Sequence, residues 1–162
     1  VIYLLDANVL IRAHEDYYSI GRIPQFWLWL QARANEGRVK VPYEIHGELS
    51  VYAGPLQQWV TDPATARILI HDAQVDPAKL NQVIDQGYAP DLTATELEKI
   101  GQDPFLIAYA LESPPDFSVV TKEVSAPSKQ RANRKIPDVC ASVGVRCITD
   151  FEFFKELNFT TL

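Results

Sequence analysis

The chain has 162 residues, 47% hydrophobic and 22% charged, which is one domain's worth of globular composition and excludes a disordered tail or a fibrous repeat. The longest uninterrupted apolar run, residues 105–111, is far short of the roughly 20 residues that cross a bilayer, and the first apolar run meets Asp6 too early for a signal peptide. The net charge of -6 excludes a broad electrostatic nucleic-acid binder, yet between Lys122 and Lys135 five cations face Glu123 alone, so positive charge is concentrated in one segment.

Residues 1–5 form a continuous run of β-formers, the pattern of a strand buried on both faces, and the run stops at Asp6-Ala7-Asn8. Residues 24–35 space Phe26, Trp27, Leu30 and Ala34 helically, with Pro24 suited to the first turn and Gly37 as the stop. Residues 38–41 predict a short strand, which leads through Pro42 into a helix reaching about Tyr52 and ended by Gly54-Pro55. Across 55–89 two helices are expected, near 63–70 and 77–86, with 67–70 open to a strand reading. Thr93 and Glu96 form a capping-box pair. Asp103-Pro104 opens a helix to about Leu111, with Asp103 as N-cap and Pro104 at the first helical position. A buried strand follows at 117–121, then a Ser-, Pro-, Lys- and Arg-rich loop over 124–134 and a short helix at 137–142. A strand at 145–148 and a helix over 149–157, opened by Thr149 and Glu152, complete the order. Short apolar strands alternating with helices define the α/β class: a central parallel sheet flanked by helices on both faces, in a single domain over 1–162. The expected protein is soluble and cytoplasmic, with no membrane partner.

In an open parallel sheet the functional crevice lies at the carboxyl ends of the strands. The acids that fall there are Asp6, Glu48, Asp103 and Glu123, with Glu44 and Asp138 close by in sequence. A carboxylate set without His or Cys suits Mg²⁺ or Mn²⁺ better than Zn²⁺, and such ions activate water for phosphodiester hydrolysis. Each acid also has a structural alternative. Asp6 could serve only as a cap at the end of the first strand, Asp103 before Pro104 is a good helix cap, Glu44 and Glu48 lie four apart on one solvated helix face, Glu123 could sit on the surface, and Asp138 could be a first-turn acid. His14, His46 and His71 have no ligand spacing, and Cys140 and Cys147, with six residues between them, match neither a redox pair nor a zinc set, so all five read as packing residues. Trp27 and Trp29 flank Leu28 and read as core, with some aromatic surface left for a partner.

Taken in order, four segments resemble the acidic motifs of the PIN-domain nucleases. They are Tyr3-Leu4-Leu5-Asp6-Ala7-Asn8-Val9-Leu10-Ile11, Val41-Pro42 through Gly47-Glu48-Leu49, Asp103-Pro104-Phe105-Leu106-Ile107-Ala108, and Val119-Val120-Thr121-Lys122-Glu123. Pro24-Gln25-Phe26-Trp27 and Lys135-Ile136-Pro137-Asp138-Val139-Cys140 are similar to a prokaryotic PIN-like subgroup found in toxin-antitoxin-like settings, while 55–91 carry no signature. The resemblance implies a PIN-like fold and a VapC-like, metal-dependent endoribonuclease. Asp6, Glu48, Asp103 and Glu123 would hold one or two Mg²⁺ or Mn²⁺ ions, and Asn8 would support the first aspartate. Glu123 stands where the pattern carries Asp, and Asp138 would compensate from the next helix. RNA as substrate, a homodimer, and an antitoxin protein that blocks the site are implied with it. The basic segment is expected to lie beside the acids and hold RNA phosphates through Lys122, Lys129, Arg131 and Arg134. The competing reading is a degenerate PIN-like module that binds RNA or a protein partner without cutting.

Overall fold

The computed structural model describes residues 1–161. The opening apolar run is β1 (Ile2–Leu5), in which Tyr3, Leu4 and Leu5 are buried, and Asp6 caps α1 (Ala7–Arg12), whose last turn widens into a π-helical turn over Ala13–Tyr17. After α2 (Pro24–Asn35), which Gly37 ends at positive φ, come β2 (Val39–Pro42), α3 (Tyr43–Leu49), α4 (Pro55–Thr61), α5 (Pro63–Leu69) and the two-residue β3 (Ile70–His71). The second half holds α6 (Pro77–Gln82), a π-helical turn over Val83–Tyr88, α7 (Ala94–Ile100), α8 (Asp103–Leu111), β4 (Phe117–Val120), α9 (Ile136–Val143), β5 (Cys147–Ile148) and α10 (Asp150–Glu156).

All pairings are parallel and the strand order is β3-β2-β1-β4-β5. Strand β1 therefore lies at the centre, paired to β2 through Tyr3–Val39 and to β4 through Leu4–Val119. From β1 the chain winds through β2 to β3 in one direction, then returns to β4 and β5 in the other. Right-handed crossovers consequently put the helices of the two halves on opposite faces. On one face α2 and α5 pack on β2; on the other α8, buried almost all round, lies across β1, β2 and β4 between α6 and α9. This is the α/β sheet, covered on both faces, that the alternating elements predict. Reversal of the winding between β1 and β4 opens a crevice beyond their carboxyl ends.

Both predicted capping boxes form. Several details differ from the sequence reading, among them the end of α3 at Leu49 rather than about Tyr52 and a last strand of only Cys147–Ile148 where 145–148 was expected. Residues 55–89 hold three helices rather than two, because Pro55 starts α4 before Asp62-Pro63 restarts the chain as α5. The alternative strand reading near 67–70 materialises one step later, as β3 at the sheet edge. Gln102, not Asp103, occupies the N-cap position of α8, without a side-chain capping hydrogen bond, and Asp103 is the first helical residue. Trp27 is buried and Trp29 half-buried in an aromatic cluster with Phe26, Phe153, Phe154 and Phe159, so only Leu28 is exposed there, at 63%. The three histidines and both free cysteines pack as expected. Among the described residues no helix is long and apolar enough to cross a membrane.

Candidate active site

Asp6 emerges from the central strand, where its backbone N–H still donates to Val120 across the sheet. One carboxylate oxygen accepts the Ala7 N–H at 2.8 Å and the other accepts the Thr121 hydroxyl at 2.9 Å. Thr121, buried just past β4, is the hub: its oxygen also accepts the Glu123 N–H at 3.1 Å and the Asn8 amide at 3.4 Å. Asn8 in turn accepts the Lys122 N–H at 3.0 Å. Asn8 thus supports Asp6 through Thr121, and both ends of its amide are engaged within the protein. Sequence inspection passed over Thr121, whose side chain looks like any strand-end threonine until β1 and β4 are paired.

Glu48 on α3, Asp103 in the first turn of α8 and Glu123 in the segment after β4 stand near enough to Asp6 for their charges to act within the group. Burial pushes the Asp103 carboxyl up to about 8; the negative charges of Asp6, Glu123 and Glu48 add to the shift and Lys135 opposes it. Burial likewise pushes Asp6 up to about 7, opposed by the Thr121 hydrogen bond and reinforced by Glu123 and Glu48. Glu48 is raised by its own burial. Among the described residues neither Asp103 nor Glu48 accepts a hydrogen bond, so their oxygens are free for a ligand. Glu123 accepts the Ile136 N–H at 2.7 Å, which ties it to the start of α9. The four acids thus share one electrostatic neighbourhood, although among the described residues no three acid, His or Cys side chains are drawn together as a ready ligand set. The donor chemistry, oxygen only and with two carboxylates unpartnered, fits a hard divalent cation.

The other candidates fall elsewhere. Asp138 accepts the Ser125 hydroxyl and the Ala126 N–H, contacts that hold its carboxyl below the usual range, and it is absent from the charges that act on Asp6 and Asp103. Asp138, expected to compensate as a fourth ligand, instead fastens the 125–126 segment to α9, whereas Glu123 is among the charges that act on both Asp6 and Asp103. Glu44 accepts the Tyr109 hydroxyl at 2.7 Å and stays outside the group.

The basic segment divides into held and free cations. Lys122 pairs with the buried Asp150 at 3.2 Å and lies over the rings of Phe151 and Tyr17. Arg131 forks onto Asp91 at 2.7 Å and Glu96 at 2.9 Å. Arg134 donates to the Gly87 and Asp138 carbonyls. The ammonium groups of Lys129 and Lys135, by contrast, have no hydrogen bond or ion pair among the described residues. Lys135, the last cation of the basic segment, sits close enough to act on Asp103 and opens the Lys135-Ile136-Pro137-Asp138 segment.

The chain belongs to the family described as Domain of unknown function (DUF4411), which it matches over residues 3–161. No curated protein matches it.

Proposed function

We propose that the protein is a PIN-like, metal-dependent endoribonuclease that hydrolyses RNA phosphodiester bonds in the crevice beyond β1 and β4. The observation that carries this reading is that Asp6, Glu48, Asp103 and Glu123, contributed by four separate segments, lie within reach of one another's charge, burial first and neighbouring carboxylates second raising Asp6 and Asp103. An unligated acid group of this kind costs stability, and a divalent cation relieves the cost. Asp6, Glu48, Asp103 and Glu123 would hold Mg²⁺ or Mn²⁺, which supplies a lowered pKa for an attacking water and charge stabilisation for the leaving oxygen. Within the protein, Thr121 and Asn8 orient Asp6, and the Ile136 N–H orients Glu123. The toxin form of this reading names an antitoxin protein over the crevice and a second copy of the chain as partners, with the cytoplasm as its place.

The binding-only module is favoured by two observations: Glu123 is engaged by a backbone donor, and among the described residues no three acid, His or Cys side chains come together as a ligand set. Diffraction from a crystal soaked in Mn²⁺ separates the two. Anomalous density among Asp6, Glu48 and Asp103 is the expected result, and none at saturating Mn²⁺ would favour the binding module.

A further inference from the structure

Beside the acids, on the side of α7 and the 3-10 turn at Arg131–Asn133, lies a cavity of about 270 Å³. Asp103 and Glu123 form the wall it shares with the crevice, and Lys99, Lys129, Arg134 and Lys135 also line it. Four cations against two carboxylates make this a positive pocket in a chain of net charge -6. Tyr88 lines it as well. This side chain is 7% exposed, yet among the described residues its hydroxyl has no hydrogen-bond partner. Neither is that hydroxyl among the fully enclosed unpartnered polar atoms, so what remains exposed of Tyr88 includes its polar tip. A phenol placed this way lacks a partner that a ligand can provide. Burial, with Asp103 and Glu123 nearby, raises its pKa and keeps it a donor at any physiological pH.

The backbone is shaped to put Tyr88 there. The π-helical turn over Val83–Tyr88 packs on α9 so tightly that a Cβ on Gly87 would meet Val139 Cγ1 at 2.5 Å. Arg134 donates to the Gly87 carbonyl and fixes the turn from the other side.

We propose that this cavity is a phosphate subsite for the backbone of single-stranded RNA, in which the Tyr88 hydroxyl donates to a non-bridging oxygen of an internal phosphodiester next to the one at the acids. Lys129 and Lys135, whose ammonium groups have neither a hydrogen bond nor an ion pair among the described residues, supply the charge. The inference rests on the nucleic-acid part of the proposed function but not on cleavage. A neutral donor and a cation leave different marks. Removing a phosphate-bound cation lowers the salt dependence of binding by nearly one ion, whereas removing a neutral donor weakens binding equally at every salt concentration.

The test is fluorescence anisotropy in EDTA with a twelve-nucleotide single-stranded RNA lacking terminal phosphates, and with the same RNA carrying a 5′-phosphate or a 3′-phosphate. Tyr88→Phe should raise Kd about tenfold with an unchanged salt slope, as expected for one hydrogen bond to a charged group. Lys135→Gln should flatten the slope by about 0.7. Wild-type affinity for Tyr88→Phe, absence of RNA binding by the wild type, or binding that requires a terminal phosphate would each overturn the subsite. Failure of the nuclease reading is distinct: a wild type that binds RNA in EDTA but does not cleave it with Mn²⁺ leaves the Tyr88 effect intact.

Discussion

Asp6 and Asp103 carry protons in the folded protein up to about pH 7 and pH 8, against ordinary values of 3.8. Between about pH 4 and those values the native state binds more protons than the unfolded chain, so stability falls as pH rises through this window. The metal-free protein should therefore melt at a lower temperature at pH 8 than at pH 5. Asp103→Asn keeps the shape, removes the charge and loses no cap, since Gln102 is the N-cap. It should melt higher than wild type at pH 8, by about 1.4 kcal/mol for each pKa unit of repulsion relieved, with a flatter pH profile and a smaller Mn²⁺ stabilisation. Thermal melts at the two pH values with and without Mn²⁺ check this, and an unchanged profile would remove Asp103 from the acid group. Glu48 and Glu44, four residues apart, should separate cleanly. Glu48→Gln should abolish Mn²⁺-dependent cleavage, whereas Glu44→Gln should leave it and cost about 1 kcal/mol through the weakened Tyr109 hydrogen bond. Cleavage rates and denaturant midpoints of the two variants decide the register of α3.

At the scale of elements, the segment after β4 works as a fastener. Lys122 reaches from the end of β4 to Asp150 at the start of α10, and the same carboxylate accepts the Tyr17 hydroxyl at 2.6 Å, so three elements meet on one buried charge. Lys122→Met would leave that carboxylate without its cation. Because the Lys122 side chain is 27% exposed, the loss should be about 2 kcal/mol, below the 3–5 of a fully buried pair. Denaturant unfolding measures it, and RNA binding by this variant should keep its salt slope. Arg131→Ala should behave likewise in binding, since its charge is already matched by Asp91 and Glu96. A slope that drops in either variant would mean that the ion pair opens to take a phosphate.

For the whole molecule, the fold was legible because its signals are local. The buried run of β1, Pro at the first turns of α2 and α8, the two capping boxes and Gly37 each specify an element from a few neighbouring residues. Asp6 after the β1 run, Asp103 beside Pro104 and Glu123 just past β4 stood out as acids by their neighbours, and the charges of Asp6, Glu123 and Glu48 act on Asp103. What the sequence hid is what only tertiary pairing creates. Thr121 becomes a hub when β1 and β4 align, and Arg131 is neutralised by acids 35 and 40 residues away. Tyr88 reaches its cavity on a π-helical turn that periodicity does not encode. The edge strand β3, two half-buried residues long, has no alternation to read.

The central claim, that the four acids form a hydrolytic site, is tested most directly by RNA cleavage. A fluorophore-quencher single-stranded RNA should be cut by the wild type in Mg²⁺ or Mn²⁺, spared in EDTA, and left at background by Asp6→Asn with its fold intact by circular dichroism. Equal cleavage by wild type and Asp6→Asn, or no cleavage of bound RNA by the wild type at saturating Mn²⁺, would contradict it.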